Sequence, residues 1–188
     1  LRSLDRFKPC YVVNFAAQGE VRASFDYPSH HYRTNALAIV ELAEALRRRP
    51  YLKKYIHIST PEVYGSCDGV VSEDQPLNPS SPYAASKASA DLFLNILYQA
   101  YDFPVVTIRA TNVYGPYQQL YRIIPRSIIF IRIGRKIRLD GGGMAIKSYI
   151  HINDVSRGVI AAMLNGRRGR VYHLSPDGGG ILVRNVVA

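Results

Sequence analysis

The sequence predicts a parallel, doubly wound α/β sheet, and three observations carry that expectation. Apolar, β-branched runs without strict alternation recur at "YVVNFAA", "KYIHIS", "FPVVTIRA" and "RVYHLS", as in strands covered on both faces. Stretches of helical periodicity separate them, and strand–helix alternation is the pattern of right-handed crossovers. The 188 residues, 47% hydrophobic and 20% charged, suffice for one substantial core.

Tyr11–Ala17 reads as the first buried strand. Asn35–Arg49 follows as a helix, because Leu37, Val40, Ala43 and Leu46 recur at helical spacing and the basic last turn complements the helix dipole. Lys54–Ser59 is the second strand, and a loop rich in Pro, Ser, Asp and Gly runs from it to Pro82. Ser81–Pro82 is a start signal for a helix from Tyr83 to about Ala100. Phe103–Ala110 is the third strand, and "TNVYGPYQ" a turn-rich loop. "RIIPRSIIFIRIGRK" suits strand or helix; Pro125 near its start and Gly134 near its end favour helix. Short strands are expected at "KIRL" and "SYIHI", a helix over "NDVSRGVIAAML" capped by Asn153 or Asp154, and a last strand at "RVYHLS". The cluster "DGGGMA" reads as a flexible loop.

Twenty-four basic against 14 acidic residues leave a net charge of +10. The basic residues are scattered, grouped only at Arg47–Arg49 and Arg167–Arg170, and no aromatic stacking platform accompanies them. Nucleic acid is therefore not expected as a partner, and the charge equally suits an anionic small molecule such as a diphosphate. No apolar run approaches the ~20 residues that cross a bilayer, and "LRSLDRFKPC" is not of signal-peptide type. Cys10 and Cys67 stand in unrelated contexts without metal spacing, which suits a reducing cytoplasm and implies neither disulfide framework nor metal site.

In an open parallel sheet, ligands sit outside the carboxyl ends of the strands. The loops "AAQG", "STPE" and "TNVYG" follow three of those ends, and the helix in "SSPYAASKASAD" starts on the same side. That helix sets Tyr83 and Lys87 four residues apart, on one face. An ammonium beside a phenol favours phenolate, which makes Tyr83 a general base toward an alcohol. Taken alone, in a chain with 14 tyrosines, the pair better fits a tyrosine snorkelling at a helix start beside an exposed lysine.

Its company decides otherwise. "NFAAQ", "YRTN", "HISTPEVYG", "SSPYAASKASAD", "RATNVYGP" and "SYIHINDV" occur in an order that resembles the extended short-chain dehydrogenase/reductase family, the NAD-dependent epimerases and dehydratases of nucleotide sugars. Within it the likeness is greatest to the dTDP-glucose 4,6-dehydratases. The resemblance implies a Rossmann-like sheet, NAD as cofactor and a nucleotide diphosphate sugar as substrate. It implies that Tyr83 takes a proton from the sugar 4-hydroxyl, Lys87 depresses the phenol's pKa and holds the nicotinamide ribose, Thr60 bonds the 4-oxygen, and Glu62 removes the C5 proton. Phe15, Ala16, Ala17, Asn35, Ser59, Ala110 and Thr111 match cofactor-lining positions, and Gln18, Asn112 and Lys147 match substrate-contacting ones. A homodimer through helices 36–49 and 83–100 is also implied.

Three departures bear on the reaction. Pro61 stands where the dehydratase pattern has an aspartate that protonates the departing hydroxyl, and proline donates no proton. This keeps epimerases and decarboxylases open beside the dehydratases. Lys147 replaces a diphosphate-binding arginine, keeping the charge but losing the bidentate fork. No glycine-rich dinucleotide turn precedes a first strand, so the chain reads as the middle of a longer enzyme or as a non-catalytic binding fragment. On that reading residues 1–115 are the central part of the NAD-binding domain. Residues 116–188 carry the remaining strands and the start of a substrate domain, and most of that domain and the first strands are missing.

Overall fold

The computed structural model describes residues 2–67 and 69–188. Helix α1 (Arg2–Phe7) leads into strand β1 (Tyr11–Asn14). β1 ends three residues before the expected Ala17, because the Asn14 side-chain oxygen accepts the Ala16 amide at 3.2 Å and turns the chain out of the ladder. The following segment, to which the sequence pattern assigns no element, folds as α2 (Val21–Asp26) and α3 (Pro28–Tyr32). Pro28 opens α3 at a position where its missing N–H costs nothing. His31 is buried between them, its ring nitrogens 3.1 and 3.2 Å from the carbonyl oxygens of Tyr27 and Glu20.

The helix expected from Asn35 starts as a π turn (Arg33–Leu37) that joins α3 to α4 (Ala38–Arg47). Strand β2 (Lys54–Ser59) forms as the sequence predicts. A 3-10 turn (Pro61–Tyr64) follows, capped by Thr60, whose hydroxyl accepts the Glu62 amide at 3.3 Å. Gly65 closes the turn at φ 75°, ψ −149°, a conformation open essentially to glycine, and a Cβ there would strike the Asn78 carbonyl. Helix α5 (Pro82–Tyr101) carries the Ser81 cap, its hydroxyl accepting the Ala84 amide at 3.1 Å, and ends at Asp102 in the left-handed region.

Strand β3 (Val105–Ala110) follows, then β4 (Asn112–Tyr114), which lies where a loop is expected. Helix α6 (Ile123–Arg132) resolves the strand-or-helix ambiguity in favour of helix. The expected strand "KIRL" does not form: Gly134 and Gly141 to Gly143, all at positive φ, bracket it and bend the chain away from any ladder. Where "DGGGMA" reads as a loop, Asp140–Gly143 forms a 3-10 turn with Gly141 and Gly142 in the left-handed region. Strands β5 (Ile146–Lys147) and β6 (Tyr149–His151), helix α7 (Ile152–Asn165), strands β7 (Val171–Leu174) and β8 (Ile181–Leu182), and helix α8 (Val183–Val186) complete the described elements.

The main sheet has the order β1-β2-β3-β7. β1, β2 and β3 pair in parallel, and the amides of Gly169, Thr107 and Thr111 bond Val105, Arg170 and Leu174 in step along β3 and β7. β4 pairs with β6 in parallel, and β5 with β8 antiparallel. Ile39, Ala43 and Leu46 of α4, Tyr55 of β2, Ala90, Leu94 and Leu97 of α5, Phe103 and Val105 form the principal core. Two compact units emerge: the residues up to Arg109 with Gly158–His173, and Ala110–Arg157 with Leu174–Ala188.

Candidate functional site and family

In the first unit, the carboxyl end of β2 meets the first turns of α5. Lys87 is 2% exposed, and its ammonium donates to the Ile58 carbonyl at 2.7 Å. Tyr83, one turn earlier on α5, is half-buried, with its ring edge-on to His31 at 6.4 Å between centroids. Burial pulls Lys87 down from 10.5 to about 8, and the charge of Asp91 opposes that fall. Thr60 is buried beside the end of β2, and Glu62 is partly buried in the 3-10 turn.

A polar cluster that the sequence pattern did not single out lies behind this pair. Asp91 accepts from Arg109 Nε at 3.1 Å and Nη2 at 2.8 Å and from the Ser59 hydroxyl at 2.9 Å. His57 Nε2 stands 3.3 Å from its other oxygen. Arg109 also donates to the Tyr64 hydroxyl and stacks on that ring at 4.7 Å. The Tyr64 hydroxyl meets His173 Nε2 at 2.6 Å, and the His173 amide donates to Glu73 at 3.1 Å. Burial pushes Asp91 up, yet His57, Arg109 and Ser59 together hold it below the usual carboxylate range. Burial pushes His57 down, which leaves it a neutral imidazole. The signal in the sequence was present: Lys87 and Asp91 share the face of α5 that carries Ala84, Ala88 and Leu94, and Arg109 interrupts an apolar strand.

The loop after β1 presents Phe15, Ala16, Ala17 and Gln18 as exposed residues. Asn35, wholly buried in the π turn, fixes that loop. Its side-chain oxygen accepts the Gln18 amide at 2.8 Å, and its nitrogen donates to the Gln18 carbonyl and the Ser86 hydroxyl, each at 3.0 Å. Ser86 in turn donates to the Tyr83 carbonyl at 2.7 Å. Asn35 therefore ties the loop to the turn of α5 that bears Tyr83. Along α5, which the resemblance assigns to a homodimer, Ala88 is 4% exposed within a small cluster with Val63 and Tyr64, whereas Leu92 is 54% exposed.

In the second unit, Thr111 donates its amide to Leu174 at 3.0 Å, next to half-buried Ala110. Asn112 donates both its amide and its side-chain nitrogen to the Ser148 carbonyl, each at 3.0 Å. Lys147 is half-buried on β5. No helix among the described residues is long and apolar enough to cross a membrane, and no cluster of metal-ligating side chains occurs among them.

Residues 1–175 match the family model of the NAD dependent epimerase/dehydratase family. The chain belongs to this family. It is 37% identical over 176 residues to a dTDP-glucose 4,6-dehydratase of Streptomyces niveus, an alignment covering 93% of this chain and 51% of that protein. Among solved structures it superposes with a TM-score of 0.89 at 34% identity on DesIV, a dTDP-glucose 4,6-dehydratase from Streptomyces venezuelae with NAD and TYD bound, covering 94% of this chain and 55% of that one. A UDP-glucose 4-epimerase from Thermotoga maritima, with UDP-glucose, gives a TM-score of 0.92 at 27% identity over 99% of this chain and 61% of that one. The Rossmann-like parallel sheet expected from the sequence is thus the family's fold, and the chain spans about half the length of the curated relatives it matches.

Proposed function

We propose that these residues form the central, proton-handling part of an NAD-dependent enzyme acting on a nucleotide diphosphate sugar, of the 4,6-dehydratase type. One observation carries the reading: a buried ammonium, Lys87, anchored to the last turn of β2 and one helical turn from Tyr83, at the carboxyl end of a parallel sheet. The same observation supports a fit to NAD. An ammonium has three N–H donors, the Ile58 carbonyl takes one, and a ribose diol is a suitable acceptor for the others. Phe15, Ala16 and Ala17 are exposed at the end of β1, where small and flat residues admit a dinucleotide. Ser59, Ala110 and Thr111 complete the proposed cofactor-lining set, with Asn35 acting through the loop it braces.

NAD, when bound, supplies the acceptor for hydride from the sugar C4. Tyr83 takes the 4-hydroxyl proton, and the Lys87 charge stabilises the phenolate that makes this possible. The Thr60 hydroxyl accepts the Glu62 amide, which leaves its own proton for the sugar 4-oxygen. Glu62 removes the C5 proton, and Gln18, Asn112 and Lys147 contact the substrate. On this reading residues 1–115 serve the cofactor and 116–188 begin the substrate side. A homodimer through helices 36–49 and 83–100 is supported by exposed Leu37, Leu92 and Ile96.

Pro61 favours a second reading within the family, an epimerase, since no acid stands between Thr60 and Glu62 to protonate a departing hydroxyl. Calorimetric titration with NAD, followed by mass analysis after incubation with dTDP-glucose, tests both. Loss of one water that vanishes in Tyr83→Phe supports the dehydratase. Unchanged product mass with inverted C4 supports the epimerase, and turnover undiminished in Tyr83→Phe removes the proposed role of that phenol. NAD binding without turnover leaves a binding fragment.

A further inference from the structure

We propose that Asp91 is a positioning residue that keeps Lys87 charged, one buried carboxylate serving two buried cations: Arg109 by direct contact and Lys87 from one helical turn away. The proposal takes its catalytic meaning from the function proposed above, but its physical content does not depend on that function.

The geometry leads to it directly. Among the described residues, the buried charged side chains are Lys87, Asp91 and Arg109, exposed by 2%, 6% and 5%, so Asp91 is the sole buried carboxylate. A buried cation is retained only where an anion and hydrogen bonds compensate its lost hydration. Lys87 and Asp91 lie four residues apart on α5, where side chains are neighbours. The partners of both side chains come from the same three residues of β2: Ile58 accepts from Lys87, Ser59 donates to Asp91, and His57 abuts it. Arg109, from β3, grips Asp91 through two nitrogens on one oxygen, Oδ2, while Oδ1 faces His57.

The other titratable groups on elements packed against this stretch supply no substitute. His31 on α3 is bonded to backbone carbonyls, and His57 on β2 is neutral. Tyr83 precedes Lys87 on α5 itself, and Tyr64 on the 3-10 turn is held above its usual value by burial. Glu62 on that turn is partly exposed, and the carboxylates of α2 and α4, Asp26, Glu41 and Glu44, are exposed. With His57 neutral, two cations share one anion, and the cluster holds an excess positive charge. An excess of that sign, with Lys87 one helical turn from Tyr83, favours phenolate. Asp91 thus keeps Lys87 protonated, and Arg109 limits how far Asp91 can neutralise it.

The test follows the Lys87 side chain directly, with no cofactor or substrate. In chain carrying 13Cε-labelled lysine, the Lys87 resonance is identified by its loss in Lys87→Met and then titrated. Asp91→Asn keeps the acceptor shape without the charge, and the Lys87 midpoint should fall by roughly 1–3 pH units. Arg109→Gln removes the competing cation, and the midpoint should rise. Asp91→Glu should restore a midpoint close to wild type. Opposite movements for Asp91→Asn and Arg109→Gln are not produced by loosened packing, which moves both toward the ordinary lysine value. An unmoved or raised midpoint in Asp91→Asn, a fall in Arg109→Gln, or a glutamate variant that behaves like the asparagine one overturns the proposal. The fall in Asp91→Asn is decisive by itself, because loosened packing moves the midpoint the other way, and a chain inactive toward sugar nucleotides still has a Lys87 midpoint to measure.

Discussion

Replacing Lys87 with methionine isolates the cost of burying its charge. The side chain is 2% exposed, and burial takes it from 10.5 to about 8, a gap of about 2.5 pH units. A lysine whose pKa is lower in the folded chain is held there at the expense of stability wherever it is protonated. Between about pH 8 and 10.5 the unfolded chain binds more protons than the folded one, so stability rises with pH through that window and the full cost is felt below it. At 1.36 kcal/mol per pH unit the cost is about 3 kcal/mol at neutral pH, of which about 2.5 kcal/mol is recovered by about pH 10. The methionine variant also loses the bond to Ile58, which displaces its stability at every pH but adds no slope. Urea unfolding of both proteins from about pH 7 to pH 10 should therefore show the difference moving by about 2.5 kcal/mol in favour of wild type. Titrating tyrosines are common to both chains and cancel. A difference that stays flat would refute the reasoning and mean that water or an anion reaches the ammonium.

Three further outcomes follow from local geometry. Ser81→Ala removes the acceptor for the Ala84 amide and should cost about 1 kcal/mol by urea midpoint, with Ser81→Asp retaining most of it. Asn35→Ala strands both backbone groups of Gln18 and should cost on the order of 3 kcal/mol, with hydrogen exchange of the Gln18 amide rising far more than that of the α4 core. Gly65→Ala forces a side chain into a glycine-only conformation and against Asn78, a loss on the order of 1–3 kcal/mol in thermal unfolding.

Where one physical rule dominated, the sequence was readable. β2 and α5 have the predicted bounds to within a residue, because a short apolar run between polar flanks and a Ser-Pro start each leave one solution. The segment from Val21 to Tyr32 was opaque, since its helices hold together through the His31 ring and backbone carbonyls rather than through a periodic apolar stripe. β4 was hidden for a different reason: three residues pair only because Tyr149–His151 supplies the partner, a contact that no local pattern announces. At the site, the motif order located Tyr83 and Lys87, but the charge balance around Lys87 was out of reach. Arg109 and Asp91 are 18 positions apart, and the sequence sets each among apolar residues without showing that the two meet.

The contact between Tyr64 and His173 has a consequence for the order in which the chain can be finished. During synthesis, α4, β2, α5 and β3 emerge in succession and can close the apolar core among themselves. β7 arrives only after the long excursion through α6 and α7, and until then β3 is an outer strand whose Thr107 amide has no Arg170 carbonyl to meet. In that interval the Tyr64 hydroxyl, already held by Arg109, faces water instead of His173. A ribosome that pauses before residue 171 therefore displays an open strand edge, available to any neighbouring chain. The aromatic–imidazole contact is in this sense a latch that shuts only once β7 is in place.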